Sequence, residues 1–188
     1  MLKVPEHQVA GHKAKDGVLG PLVDDTGRFY KPLQNNDRGS RELSFYSSLS
    51  SHPSIPLPFS PAFHGTKVVE ASDGSGPHPH LVLEDLLRGY AKPSVMDVKI
   101  DSRTWHLGDS DDYIAKCLAK DRESSTIPLA FRISGDALSA WEPPRKSLQS
   151  LSAHDALFIL RKFVSSNAHL HHSPCLWRVT RIMSWCGV

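Results

Sequence analysis

The run Pro93-Ser94-Val95-Met96-Asp97-Val98-Lys99-Ile100 limits most tightly what this chain can fold into. A proline opens it, and an acid and a base then stand two residues apart among apolar side chains. Read as a strand, it turns Asp97 and Lys99 to one face, because side chains alternate with period two. Val98 and Ile100 are then expected on the opposite face, in a core. A carboxylate beside an ammonium on a half-buried strand is costly unless the two pair or act on a ligand. Phosphate suits such a pair: the acid orients a hydroxyl and the lysine neutralises phosphoryl oxygens. On pattern alone, a purely structural ion pair remains open.

The rest of the chain narrows the class. With 188 residues, 39% of them hydrophobic, it can build one cored domain or two small lobes. A net charge of +2 is too small for a general nucleic-acid binder, so any polyanion site must be a local cluster. No apolar run approaches the roughly 20 residues that span a bilayer. Met1 to Gly11 has no apolar segment of secretory type. The cysteines, Cys117, Cys175 and Cys186, are odd in number and lack C-x-x-C spacing, which fits a reducing compartment.

Local patterns predict α+β content. Gln8 to Leu33 reads as hairpin material around turn signals at Asp16-Gly17 and Asp25-Thr26-Gly27, with Phe29-Tyr30-Lys31 a short strand. Leu43, Tyr46 and Leu49 have helical spacing, and Ser51 to Pro61 reads as extended. Phe63 to Val69 and Leu81 to Leu87 read as strands, with Ser72 to His80 as an exposed loop between them. Asp109 to Lys120 is a predicted helix capped by Asp109 or Ser110. Phe131-Arg132-Ile133-Ser134-Gly135 is a strand ending in a glycine turn. Ser152-Ala153-His154-Asp155 has capping-box form ahead of a helix whose apolar face is Ala156, Leu157, Leu160, Phe163 and Val164.

Several other chemistries find little support. Gly74 and Gly76 lack the third glycine of a dinucleotide fingerprint. His78 with His80, and His169 with His171 and His172, lack partner ligands at metal-site spacing, so no protein-built metal centre is expected. No G-x-S-x-G or Cys/His nucleophile arrangement is present.

The run from Pro93 resembles the P-x-x-x-D-x-K-x-G signature of the inositol polyphosphate kinase family, most closely its plant multikinase branch. Lys3 to His12, Phe29 to Gln34, Leu81 to Asp85 and Phe131 to Gly135 are similar to that family in the same order, as far as about Asn167. The resemblance implies an α+β, two-lobed kinase/ATP-grasp-like fold with an incomplete C-lobe. Residues 1–84 would be an ATP-binding N-lobe, and 85–167 a partial C-lobe carrying an inositol phosphate-binding helix. Residues 168–188, which contain no acidic residue, would be an aberrant, out-of-frame tail.

The implied activity is ATP- and Mg²⁺-dependent phosphorylation of inositol trisphosphate and tetrakisphosphate. Lys31 would grip ATP phosphates, steadied by Glu42, while Glu84 and Leu86 would meet adenine through their backbones. Asp97 would be catalytic and near the nucleotide. Lys99 would be catalytic and bind substrate. Lys92, Arg103, Lys116 and Lys120 would complete the substrate pocket. The resemblance also implies a soluble intracellular protein of nucleus and cytoplasm, with inositol polyphosphates as partners. Two departures weigh against turnover. The signature's closing glycine is Asp101 here, and a charge within about 5 Å of a phosphate costs a few kcal/mol in a partly dry site. The family's metal-binding aspartate lies in a C-terminal segment expected to be missing. The alternative is a catalytically inactive fragment that binds inositol phosphates or proteins.

Overall fold

The computed structural model describes residues 1–7, 14, 18–35, 37–51, 60–90, 93–137 and 145–166. The backbone divides into two compact units, parting between Ala91 and Lys92.

In the first unit, β1 (Leu22–Val23), β2 (Arg28–Pro32), β3 (Phe63–Glu70) and β4 (Pro77–Glu84) form a four-stranded antiparallel sheet of order β1-β2-β4-β3. Helix α1 (Asp37–Ser51) follows β2. Lys3 extends the β1 edge through two backbone hydrogen bonds with Val23. The central strand is buried on both faces, which explains the uninterrupted Leu81-Val82-Leu83 run. One face packs Leu22, Tyr30 and Val82 with Leu2 and Val69. The other packs Leu81, Leu83 and Tyr46 with Phe29, Leu33, Leu43, Phe45 and Phe63. Tyr46 stacks on Phe63, with centroids 5.8 Å apart. Burial raises the Tyr46 phenol above its ordinary pKa, with a smaller push from Glu42.

Gly39 lets α1 begin where it does. A β-carbon there would stand 2.1 Å from the Gln34 carbonyl oxygen. The turn between β1 and β2 is tied to Asp24. Its Oδ1 accepts the Thr26 N–H and hydroxyl at 2.8 Å each and the Arg28 N–H at 3.0 Å. Its Oδ2 accepts the Tyr30 hydroxyl at 2.9 Å. Partial burial works to raise the Asp24 pKa, but these bonds outweigh it and bring the value to about 2.

The predicted Ser72–His80 loop is shorter than the sequence suggested. β4 already begins at Pro77, and His80 is completely buried. Two histidines separated by proline disguise a strand whose inward side chain is an imidazole.

In the second unit, β5 (Val95–Ile100) pairs antiparallel with β6 (Phe131–Ala137). The register places Lys99 opposite Arg132, Val98 opposite Ile133 and Asp97 opposite Gly135. Ser134 is the extra residue of a bulge between these pairs. Helices α2 (Asp111–Arg122) and α3 (Thr126–Leu129) lie between the strands in sequence. After β6 come α4 (Arg145–Gln149) and α5 (Ala153–Ser166). Ile133, Leu148, Leu151, Ala156 and Ile159 make the core, joined by Met96, Val98, Leu129 and Phe131.

Several expectations shift in detail. Ile100, expected in the core, is 52% exposed, because it closes the open end of a two-stranded ladder. α2 is capped at Ser110 without a side-chain bond, while Asp109 instead accepts the His106 N–H at 2.8 Å. Ser152 and Asp155 do cap α5, with the Asp155 N–H donating to Ser152 Oγ at 3.1 Å. Ile159 lies inside that helix and Leu157 turns outward, so the apolar face is rotated from the predicted one. The features expected at residues 8–13, 15–17, 52–59 and 167–188 lie outside the described residues.

Candidate functional site

The first unit brings Lys31 and Glu42 together. Lys31 lies on β2, opposite Leu81, and its face of the sheet is the one α1 covers. Glu42 sits one turn from Tyr46 on α1, and its Oε1 accepts the Lys31 Nζ. Both side chains keep partial solvent contact, so the lysine is steadied yet accessible.

Strand alternation sends the Glu84 side chain to the other face of the sheet, beside Arg28. There it accepts the Ala62 N–H at 3.3 Å and lines an open cavity of about 500 Å³ with Arg28, His64 and Arg88. Glu84 and Lys31 therefore cannot reach one ligand through their side chains. The Glu84 N–H donates to the Ala62 carbonyl, and the Asp85 N–H to the Gly27 carbonyl. Leu86, in the turn after β4, makes no backbone hydrogen bond to another described residue.

The second unit assembles the denser cluster. Asp97 and Lys99 share one face of β5, and Lys99 Nζ donates to Asp97 Oδ2 at 2.8 Å. The Asp97 side chain is 6% exposed and that of Lys99 32%. Gly135 stands opposite Asp97 and presents no side chain over the carboxylate.

Just after β5 comes Asp101, with φ 156°, and its N–H donates to the carbonyl of Ala130, itself left-handed at φ 55°. Two non-glycine residues in glycine-favouring conformations thus meet across the end of the ladder. The Asp101 carboxylate accepts the Ser102 N–H at 2.6 Å.

The following loop carries Arg103, whose guanidinium lies over the Trp105 ring, 5.3 Å from its centroid. Thr104 between them is clamped to α2: Asp121 accepts its N–H at 2.9 Å and its hydroxyl at 2.7 Å. α2 also presents Lys116 and Lys120 to solvent, one turn apart. Lys92 lies outside the described residues. Asp121, Thr104 and Arg132 escaped the sequence reading. Their available signal was the polar residue alternating with apolar ones in Phe131-Arg132-Ile133.

No group of three or more His, Cys, Asp or Glu converges to hold a metal among the described residues. No described helix is long and apolar enough to cross a membrane.

Comparison with known proteins bears on this geometry. A family model for inositol polyphosphate kinase matches residues 80–185. Inositol polyphosphate multikinase beta of Arabidopsis thaliana is 54% identical over 177 residues, covering 89% of this chain and 59% of its own length. A solved inositol phosphate multikinase superposes with TM-score 0.53 at 42% identity, over 69% of this chain and 59% of that one. The S. cerevisiae inositol phosphate multikinase Ipk2, solved with ADP and Mn²⁺, shares the fold at TM-score 0.54 and 21% identity, over 76% of this chain and 59% of that one. The chain thus spans about 60% of the length of these relatives. With more than half of its residues matched by the family model and the D-x-K pair in place on β5, the chain belongs to the inositol polyphosphate kinase family.

Proposed function

We propose that this chain phosphorylates inositol polyphosphates, with inositol trisphosphate and tetrakisphosphate as acceptors and ATP as donor. One observation carries the reading: a buried carboxylate and a partly exposed ammonium are bonded on one strand face. In the reaction a ring hydroxyl oxygen bonds to the γ-phosphorus, and the bond from that phosphorus to the β–γ bridging oxygen breaks. ADP leaves with the electron pair, and the hydroxyl proton is released.

Asp97 accepts the hydroxyl hydrogen bond and aims the oxygen. Lys99 neutralises phosphoryl oxygens as charge moves onto them. Lys31, held by Glu42, binds nucleotide phosphates, and the Glu84 and Leu86 backbones meet the adenine edge. Arg103, Lys116, Lys120 and Lys92 bind ring phosphates. A divalent ion, Mg²⁺ by family resemblance, would supply positive charge to nucleotide phosphates when bound. The same resemblance supports a nuclear and cytoplasmic location, which a fluorescent fusion would test.

A second reading has one observation in its favour. Asp101 puts a carboxylate at a strained position beside the catalytic strand, where it repels phosphate. The chain would then bind inositol phosphates without turnover. Radiolabelled ATP with inositol trisphosphate separates the two. We expect transfer that falls by about a thousandfold in Asp97→Asn, the scale of losing a preorganised polar contact to the transition state. Tight inositol phosphate binding with no transfer selects the second reading.

A further inference from the structure

Arg132 has an unusual setting for a guanidinium. Its side chain is 10% exposed, and its charged partner among the described residues is Asp121, 1% exposed and 3.7 Å away. That separation is an ion pair but too long for a hydrogen bond. Each Asp121 oxygen accepts a bond from Thr104, one from its N–H and one from its hydroxyl. The guanidinium makes no hydrogen bond to another described residue. A buried arginine whose acidic partner among the described residues stands beyond hydrogen-bond range is arranged for an anion.

The register adds the second observation. Arg132 stands directly opposite Lys99, so both project from the same face of the ladder. Like charges in that relation repel. Each cation has its own acid: Asp97, two residues before Lys99 on β5, and Asp121 of α2 beside Arg132. The two cations are adjacent in the ladder.

We propose that Arg132 is a phosphate-binding residue, sharing one phosphate group of a phosphorylated ligand with Lys99. The inference rests on the kinase reading for the identity of that ligand, but the anion site itself does not. The guanidinium fork offers two parallel N–H donors to one phosphate, and Lys99 adds a point charge from the facing strand. The phosphate belongs either to the inositol ring or to the nucleotide, and two probes separate these sources.

The test is calorimetric titration of the full chain with inositol trisphosphate and with inorganic triphosphate, using wild type, Arg132→Met and Arg132→Lys. Circular dichroism monitors folding, and the radiolabelled transfer assay runs in parallel. We expect Arg132→Met to weaken one or both probes at least tenfold. Arg132→Lys should recover part of that loss, because it restores the charge without the fork. Loss confined to inositol trisphosphate assigns a ring phosphate, and loss confined to triphosphate assigns the nucleotide. Unchanged affinity in folded Arg132→Met overturns the proposal and leaves Arg132 as a structural partner of Asp121. If Arg132→Met fails to fold, Arg132→Lys decides, and wild-type affinity there overturns it. Absent transfer with Arg132-dependent binding removes the kinase reading and keeps the phosphate site. Normal transfer with Arg132-independent binding does the reverse. Binding of neither probe by wild type overturns both.

Discussion

The two units solve the same problem, placing a lysine beside a carboxylate, by opposite means. In the first, Lys31 and Glu42 come from a strand and a helix eleven residues apart, and both stay partly in water. In the second, Asp97 and Lys99 are neighbours on one face of one strand, and the carboxylate is almost fully buried. The sheets differ to match. β4 is covered on both faces by separate apolar clusters. The β5–β6 ladder has its apolar cluster around Ile133, while Asp97, Lys99 and Arg132 share a face through alternation and register. A strand covered on both faces can bury only apolar or hydrogen-bonded groups. A strand covered on one face keeps the other for charge.

The strongest way to break this contrast is to hollow each core. Leu81 and Ile133 both have no exposure. Leu81→Ala should cost about 4 kcal/mol and Ile133→Ala about 3 kcal/mol, since the central strand of the larger sheet has less freedom to collapse. Urea denaturation would measure both, and a reversed order would count against the two-faced burial of β4.

Stripping the cation from each pair gives the next largest effect. Lys99→Met leaves Asp97 buried beside no cation and should cost about 3 kcal/mol. Lys31→Met leaves Glu42 able to hydrate and should cost below about 1 kcal/mol. Equal losses in denaturant melts would show that burial does not separate the pairs.

Strain sharpens the comparison from the other side. Asp101 holds a glycine-favouring φ at the end of the charged ladder. Asp101→Gly should stabilise by about 1 kcal/mol after loss of the bond from the Ser102 N–H, and raise phosphate affinity. A lower melting temperature would mean that the Ser102 bond outweighs the strain.

The smallest effects are acid titrations of the first unit. His80 is buried, and that burial lowers its pKa below the ordinary 6.5, partly opposed by the hydrogen bond to the His78 carbonyl, with His78 adding a smaller lowering. Lys67 and Pro32 are its register partners on the flanking strands. Below pH 6.5 the unfolded chain takes a proton that the folded chain refuses. Stability is therefore full above that pH and falls toward the folded value. Asp24 acts lower: its contribution is present above 3.8 and lost as pH drops through about 2. After solvent screening this is about 1 kcal/mol. Chemical denaturation across pH should lose the upper leg in His80→Phe and the lower one in Asp24→Asn. A leg that survives its substitution belongs to another group.

The limits of sequence reading follow the same division. Alternation alone placed Asp97 and Lys99 on one face, because a strand's period is local geometry. The Leu81-Val82-Leu83 run announced a buried strand for the same reason. The strand containing His78 and His80 was misread because proline and histidine resemble loop residues until neighbouring strands enclose them. Leu157 was placed inward because a fourteen-residue helix fits two apolar stripes almost equally, and only its packing against Leu148 and Ile133 chose one.

What the sequence determined by itself was most of the longer elements and the placing of Asp97 and Lys99 on one face of β5, since both depend on residues close along the chain. Tertiary structure decided the rest. The partnership of Lys31 with Glu42, the facing of Lys99 by Arg132, and the clamp of Asp121 on Thr104 each join separate elements. Register and packing set such contacts, because they are fixed only when the chain's free energy is minimised as a whole.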